Sequence, residues 1–85
     1  MIQLRVVLFA SLREELGSQE VSVSVPSTAS IDELILGLGE SRGSHWAEAL
    51  GAANVLCAVN QTMTDRQHVL KDGDEVAFFP PVTGG

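Results

Sequence analysis

The sequence predicts one α+β domain in which a mixed β-sheet is covered on one face by a helix. Three observations support this prediction. Apolar and polar residues alternate over residues 21–25, as in a half-buried strand. Apolar residues then recur at helical spacing over residues 31–38, and two more apolar, strand-like segments follow. The 85 residues, 45% of them hydrophobic, suffice for one small core and leave no room for a second domain.

The first two strands are predicted before residue 26. Residues 2–9 are mostly apolar, and strand alternation divides them into two faces. The core face is expected to carry Ile2, Leu4, Val6 and Leu8, and the opposite face Gln3, Arg5, Val7 and Phe9. The capping-box spacing at residues 11–14 predicts a short helix capped by Ser11 and closed by Gly17. Residues 21–25 then form a strand antiparallel to the first, and Pro26 ends it.

The main helix is predicted to begin after a second capping box, at residues 30–33. Its buried face is expected to carry Ile31, Leu34, Ile35 and Leu38. Gly37 and Gly39 weaken its second half, each by about 1 kcal/mol relative to alanine, and Gly43 is expected to end it. Ser44 is a candidate cap for a short helix through Leu50, although the helix boundaries between residues 36 and 53 stay open.

The last strands are predicted from two apolar segments and two turns. Residues 55–59 are apolar, and a turn at residues 60–61 follows. The turn sequence at residues 71–74 leads into a strand over residues 75–79. Alternation directs Val76 and Phe78 inward, and Glu75, Ala77 and Phe79 outward. Pro80 and Pro81 end this strand, because proline cannot donate to a ladder.

Composition excludes several functional classes. The formal net charge of −6 disfavours binding to nucleic acid or an anionic membrane and suits a protein partner with a basic face. The single cysteine, Cys57, cannot form an internal disulfide and is expected to be a buried, inert thiol. His45 and His68 lack the close ligand spacing of a metal site. With no secretion signal and no long apolar stretch, we expect a cytoplasmic protein.

The C-terminal end is the least ordinary part of the chain. Residues 76–85 carry no charged side chain, and the last two residues are glycines. From Pro81 to Gly85 an extended chain spans about 13 Å. The domain would therefore present one α-carboxylate at the end of an extended segment. Because the last two residues have no side chain, this end could enter a narrow channel. The residues alone leave a frayed terminus as the alternative.

Residues 72–85 closely resemble the C-terminal end of the small, sulfur-carrier subunits of molybdopterin synthase, a family with the ubiquitin-like β-grasp fold. Residues 58–61 and 9–14 also match that family, with Leu16 and Gly17 at the expected place. The resemblance implies a β-grasp domain over residues 1–81 and a flexible C-terminal Gly-Gly tail at residues 82–85.

The resemblance also implies a carrier that is not an enzyme alone. Gly85 would be adenylated with ATP by a ubiquitin-activating-like adenylyltransferase, then converted to a thiocarboxylate with sulfur from a donor protein. The loaded tail would enter the large synthase subunit, within a heterotetramer, and deliver sulfur to cyclic pyranopterin monophosphate. No permanently bound cofactor or metal is implied. The tail residues expected to contact partners are Pro80, Pro81, Val82, Thr83 and Gly84.

A docking patch is expected beside this tail. In a β-grasp sheet the first and last strands are parallel neighbours, so Phe9 and Phe79 should lie close together on the outward face, with Met63 as a further member. Exposed apolar clusters of this kind mark partner sites. Three alternative functions stay open: a protein modifier that joins Gly85 to target lysines, a sulfur carrier for another thiolation pathway such as thiamin or tRNA, and an inert β-grasp interaction domain.

Overall fold

Strands and helices follow one another along the chain largely where the sequence patterns place them. The computed structural model describes residues 1–80. The strands and helices occur in the order β1 (Ile2–Leu8), α1 (Ala10–Leu16), β2 (Glu20–Val25), α2 (Ile31–Arg42), α3 (Ser44–Leu50), β3 (Leu56–Val59), β4 (Thr62–Thr64) and β5 (Glu75–Phe79).

The five strands form one mixed sheet in the order β2-β1-β5-β3-β4. β1 is antiparallel to β2 and parallel to β5, and β3 is antiparallel to both β4 and β5. Side chains from all three helices join one face of the sheet in a single core. This arrangement confirms the predicted α+β class and is the ubiquitin-like β-grasp topology.

The core confirms the predicted inward faces. β1 buries Leu4, Val6 and Leu8, whereas Ile2 at the strand end is only partly buried. In β5, Val76 and Phe78 are both fully buried. The helix α2 contributes the four predicted residues, Ile31, Leu34, Ile35 and Leu38. Since each fully buried large apolar side chain stabilises the fold by roughly 1.5–3 kcal/mol, this layer supplies much of the stability of the domain.

The helix α2 is capped as predicted. The Ser30 hydroxyl accepts a hydrogen bond from the Glu33 amide at 3.3 Å, and the Glu33 carboxylate accepts one from the Ser30 amide at 3.2 Å. At the other end the Gly43 amide donates to the Gly39 carbonyl at 3.1 Å. The capping box therefore depends on local sequence alone, which explains why it was predictable.

The predicted cap of α1 is wrong. This helix begins at Ala10, its N-cap is Phe9, and no side chain caps it. The chain turns directly from β1 into the helix at Ala10, whose φ is +49°, so Ser11 lies inside the first turn. Gly17 closes the helix as predicted, with φ +69°.

One smaller expectation needs correction, and two features go beyond what the sequence indicated. Ser44 is the first residue of α3 rather than its cap, which is Gly43 at φ +116°. Ala77 is on the outward face as predicted but is buried there, because its strand is central and its side chain is short. The three-residue strand β4, not predicted from the sequence, exists because the hairpin turn at Asn60 and Gln61 returns the chain against β3.

Polar contacts join that hairpin to the start of β5. Asn60 and Gln61 both have positive φ, +50° and +70°, as a tight hairpin of type I′ requires. The Asn60 side chain donates to the buried Asp74 carboxylate at 2.9 Å and accepts from the Glu75 amide at 3.0 Å. The second Asp74 oxygen accepts from the Lys71 amide at 2.8 Å. These bonds fix where β5 begins and so fix its register.

Candidate docking surface

The face of the sheet turned away from the helices carries a strip of small apolar residues at its centre. Val7 of β1 is paired with Ala77 of β5, which is paired with Ala58 of β3. Ala58 is in turn paired with Met63 of β4. Both alanines are buried although no helix covers them, since their short side chains lie between longer neighbours. The strip is therefore shallow, with Met63 as an exposed apolar residue at its border.

Two aromatic rings stand at the end of this strip. Phe9 and Phe79 stack with 4.7 Å between ring centroids and 11° between ring planes. The Phe9 amide donates to the Phe78 carbonyl at 3.2 Å, which continues the parallel ladder one residue beyond β1. Phe9 is 42% exposed. The structure thus brings the two predicted phenylalanines together, and the parallel pairing of β1 with β5 is the reason.

Leu56 extends the aromatic pair, and the sequence analysis missed it. Its Cα is paired with that of Phe79 across the β3–β5 ladder, and it is 46% exposed. Strand alternation around the buried Cys57 was a signal that could have found it. We use the name docking surface for the set Val7, Phe9, Leu56, Ala58, Met63, Ala77 and Phe79. Met63 forms the border of this surface, beside Ala58 and one strand beyond β3, and it does not pair with the rings.

The border of the docking surface next to β2 is charged. The Arg5 guanidinium donates to the Glu75 carboxylate, and its Nε lies 3.8 Å from the Glu20 carboxylate. The hydrogen bond from Arg5 to Glu75 and the two negative charges raise the pKa of Arg5 above its usual value. One cation facing two carboxylates leaves this border net negative. An apolar centre with a charged border is the ordinary anatomy of a protein interface.

The chain leaves the sheet at the same end as the aromatic pair. Pro80 follows Phe79 directly and lines a shallow depression together with residues of α1 and α3. The predicted tail residues Pro81, Val82, Thr83, Gly84 and Gly85 lie outside the residues that the structure describes. Any partner that covers the phenylalanines would therefore also meet the start of the tail.

The remaining reactive side chains are not gathered into a second site. Cys57 is 3% exposed, and its thiol donates to the Thr64 carbonyl at 3.4 Å. Burial raises the pKa of this thiol, which disfavours the nucleophilic thiolate. Within residues 1–80, no three His, Cys, Asp or Glu side chains come close enough together to hold a metal ion. Across the same residues, no helix is long and apolar enough to cross a membrane.

Comparison with known proteins matches nearly the whole chain to one family. The profile of the ThiS family matches residues 6–85. The molybdopterin synthase sulfur carrier subunit of Escherichia coli K12 is 42% identical over 84 residues, covering 96% of this chain and 99% of that protein. The Haemophilus influenzae protein of the same name is 38% identical over 82 residues, covering 96% and 99%.

Solved structures agree with this match. SAMP1 from Haloferax volcanii superposes with a TM-score of 0.82 at 27% identity, covering 98% of this chain and 99% of that one. A chain from the complex of subunits 1 and 2 of the molybdopterin-converting factor of Helicobacter pylori superposes with a TM-score of 0.67 at 27% identity, covering 99% and 100%. The first match confirms the ubiquitin-like β-grasp fold, and the second shows such a domain in a complex with another subunit.

Proposed function

This chain belongs to the ThiS family, and we propose that it is the sulfur-carrier subunit of a molybdopterin synthase. The observation that carries the proposal is the full-length match to the Escherichia coli carrier subunit, at 42% identity. The match covers 96% of this chain, and so includes the folded domain from which the tail extends. The exposed aromatic pair beside the exit of the tail supports the proposal, because a carrier must be held by its partner while its end reacts.

The reacting group in this proposal is the α-carboxylate of Gly85. A carboxylate is a poor electrophile, because its negative charge resists nucleophilic attack. Its oxygen attacks the α-phosphorus of ATP on an activating enzyme of the ubiquitin-activating type, and pyrophosphate leaves. Hydrosulfide-level sulfur released by a donor then attacks the acyl carbon, AMP leaves, and loss of the proton on sulfur gives a thiocarboxylate at Gly85. Neither glycine at the end has a Cβ, so the tail fits an active site too narrow for side chains.

The large subunit supplies the second half of the chemistry. The structure from Helicobacter pylori contains subunits 1 and 2 of the molybdopterin-converting factor together, which supports a large subunit as the partner of this chain. The docking surface would bind it, and the thiocarboxylate would transfer sulfur to cyclic pyranopterin monophosphate. The described residues gather no cationic cluster to bind that phosphorylated substrate, so we place substrate binding and proton transfer on the large subunit. The net negative border of the docking surface suits a basic face on this partner.

Mass spectrometry of the intact protein tests the proposal. The chain is isolated from cells that express an activating enzyme and a sulfur donor, and from matched cells lacking the activating enzyme. We expect a fraction whose mass increases by the difference between one sulfur and one oxygen atom, only in the first culture. Fragmentation must locate the increase at Gly85 rather than at Met1, Met63 or Cys57, where oxidation would give a similar increase. Absence of this species from both cultures would contradict the proposal.

A protein modifier is the second candidate function, favoured by the structural match to SAMP1, one of the small archaeal modifier proteins. Both functions begin with ATP-dependent activation of Gly85, but a modifier ends in an amide bond to a lysine side chain. Tryptic peptides with the C-terminal remnant of this chain on a lysine of another protein would favour the modifier. Thiocarboxylate without such peptides would favour the carrier.

A further inference from the structure

The two edges of the sheet differ in a way that the carrier function does not explain. At one edge β4 is three residues long, which leaves little free backbone for another strand. At the other edge β2 is six residues long, Glu20–Val25, and contains no lysine, proline or bulge. Natural proteins usually protect a long edge strand by one of those devices. The β2 edge is therefore open to pairing with another extended segment.

The register of β1 with β2 identifies the backbone groups that are free. The Leu8 amide donates to the Gln19 carbonyl at 2.9 Å. Because hydrogen-bonded and non-hydrogen-bonded pairs alternate in an antiparallel ladder, Val21, Val23 and Val25 direct their backbone groups toward β1. Glu20, Ser22 and Ser24 direct theirs away from it. The open edge thus presents three amides and three carbonyls at the spacing of an additional strand.

A groove of about 550 Å³ runs between this edge and α2. Its apolar lining consists of Val23 and of Leu34 and Leu38, which are each only 1% exposed, so Val23 supplies most of the accessible apolar surface. Val23 remains only partly buried, although Val21 and Val25 on either side of it are buried. The groove therefore exposes apolar surface at the middle of the edge strand.

Gly37 borders open space in the groove. It lies on the wall formed by α2, and a Cβ added there would meet nothing within 4 Å. Its backbone is helical, with no positive φ that would require glycine. Glycine inside a helix destabilises it by about 1 kcal/mol relative to alanine. Neither packing nor backbone geometry requires glycine at this position, and a side chain larger than alanine would extend into the groove.

One cation stands at the groove. Arg42 lines it, with the guanidinium carbon 5.2 Å from the centroid of the Trp46 ring. Trp46 is buried, so the ring is a fixed support for an otherwise exposed side chain. Among residues 1–80 Arg42 forms no ion pair. Its hydrogen-bond donors are available to a carboxylate from another molecule.

From these observations we infer that the groove between β2 and α2 binds an extended peptide segment of a protein partner as an additional strand. The segment pairs its backbone with Ser22 and Ser24, places aliphatic side chains against Val23 and in the open space at Gly37, and carries one acidic side chain that pairs with Arg42. Strand addition of this kind obtains affinity from the backbone and specificity from the side-chain contacts. The site lies at the opposite side of the sheet from β3 and β4, so it leaves much of the docking surface free.

The test uses the full chain, labelled with ¹⁵N, and two synthetic peptides of about seven residues. Each has valine or isoleucine at alternate positions, threonine between them, and one glutamate, at the amino end in one peptide and at the carboxyl end in the other. Titrated to about 1 mM, one of them is expected to shift the amide signals of Ser22, Ser24 and Gly37. A lysine in place of the glutamate should weaken binding roughly tenfold.

Three variants locate the site. Gly37→Leu fills the groove and should weaken binding by roughly tenfold or more, while raising the stability of the helix. Ser22→Pro removes an edge amide that is not needed by β1, and it should weaken binding similarly. Arg42→Glu should reverse the preference, so that the lysine peptide binds more tightly than the glutamate peptide. Leu36→Ala, on the exposed side of α2, is the matched control and should change nothing.

Three results would overturn the inference. One is the absence of any shift, with either glutamate peptide, in a chain shown to be folded by its spectrum. Another is a set of β2 shifts that depends on the concentration of the chain and not on the peptide, because the edge would then pair with a second copy of this chain. Binding that Gly37→Leu and Ser22→Pro leave unchanged would place the peptide elsewhere, and would count against the site equally.

Discussion

Phe9 and Phe79 stack at 4.7 Å although they come from opposite ends of the described chain. The parallel register of β1 with β5 places one ring directly beside the other on the outward face of the sheet. A stacked pair presents a larger apolar surface than either ring alone, and aromatic residues dominate the energetics of many interfaces. The start of the tail at Pro80 is therefore adjacent to the part of the surface best suited to bind a partner.

The first prediction concerns this pair. Phe79→Ala should weaken binding to the large subunit by about 2 kcal/mol, roughly a thirtyfold rise in Kd. The fold should survive, because Phe79 is only partly buried and lies outside the helix-side core. Isothermal titration calorimetry with the purified large subunit measures the change. Leu36→Ala, which removes a more exposed apolar side chain, 62% exposed, from α2 on another face of the domain, is the control. Equal affinities for the folded Phe79→Ala protein and the parent would contradict a docking role.

Much of the sheet could be predicted because it depends on local alternation. The inward residues of β1 and β5, and the capping box of α2, require no knowledge of distant parts of the chain. Other features depend on tertiary context. β4 is too short to show a pattern and exists only because the hairpin at Asn60 returns it to β3. Ala77 is buried on the outward face only because β1 and β3 lie on both sides of its strand.

The candidate site divides in the same way. Strand alternation placed Phe9 and Phe79 on one face, and the family resemblance supplied their parallel pairing. Leu56 was missed, because in an apolar segment only alternation from the buried Cys57 indicates its face, and its place beside Phe79 depends on the register of β3 with β5. The proposed chemistry of the tail is inferred from the sequence alone, since Gly84 and Gly85 lie outside the described residues.

The second prediction compares two glycines of α2 that the sequence treats alike. Gly37→Ala should stabilise the protein by about 1 kcal/mol, because it improves helix propensity and meets nothing. Gly39→Ala should destabilise it by roughly 1–3 kcal/mol, because the new Cβ would lie 2.7 Å from the Ala47 Cβ and force α2 and α3 apart. Urea denaturation of the two variants and the parent measures both changes. Two changes of the same sign would contradict this account of the contact between α2 and α3.

The third prediction concerns Arg66, which sequence analysis did not single out. Its guanidinium donates to the carbonyls of Leu50, Gly51, Ala52 and Val55, and so binds the loop that connects α3 to β3. Arg66→Ala should destabilise the domain by about 2 kcal/mol, since these carbonyls would lose a charged donor. Arg66→Lys should recover only part of the lost stability, because an ammonium group cannot present N–H donors in the planar arrangement of a guanidinium. Full recovery in urea denaturation would show that charge alone matters.

The fourth prediction separates Cys57 from sulfur carriage. Cys57→Ala should leave the thiocarboxylate fraction measured by intact mass unchanged, because the thiol is buried and its pKa is raised by that burial. The raised pKa of the Cys57 thiol also affects the free energy of unfolding at alkaline pH. Below the ordinary pKa of 9.0 both folded and unfolded thiols keep their proton. As pH rises above it, the unfolded chain ionises first, so the parent should lose stability at alkaline pH faster than Cys57→Ala. Loss of sulfur loading in this variant would contradict the carrier mechanism at Gly85.

The last prediction concerns Gly85. Deleting it withdraws the carboxyl group by about 3.5 Å, and a displacement of even 1 Å can reduce a rate by about a hundredfold. We therefore expect the truncated chain to support dithiolene formation with purified synthase far less than a hundredth as fast as the parent. Gly84→Ala keeps the length of the tail but adds a methyl group, which a narrow active-site channel of the partner would exclude. This variant should therefore form the thiocarboxylate more slowly, although its carboxyl group still reaches the reacting position.

Binding and stability provide the controls for the deletion. The change lies outside the core and the docking surface, so the thermal midpoint and the affinity for the large subunit should stay near those of the parent. The expected protein is folded, binds the large subunit and carries no sulfur. If the truncated chain still supports dithiolene formation at the parental rate, the carrier mechanism is wrong. If the deletion unfolds the domain instead, the tail is structural, and the inert interaction domain becomes the better description of this protein.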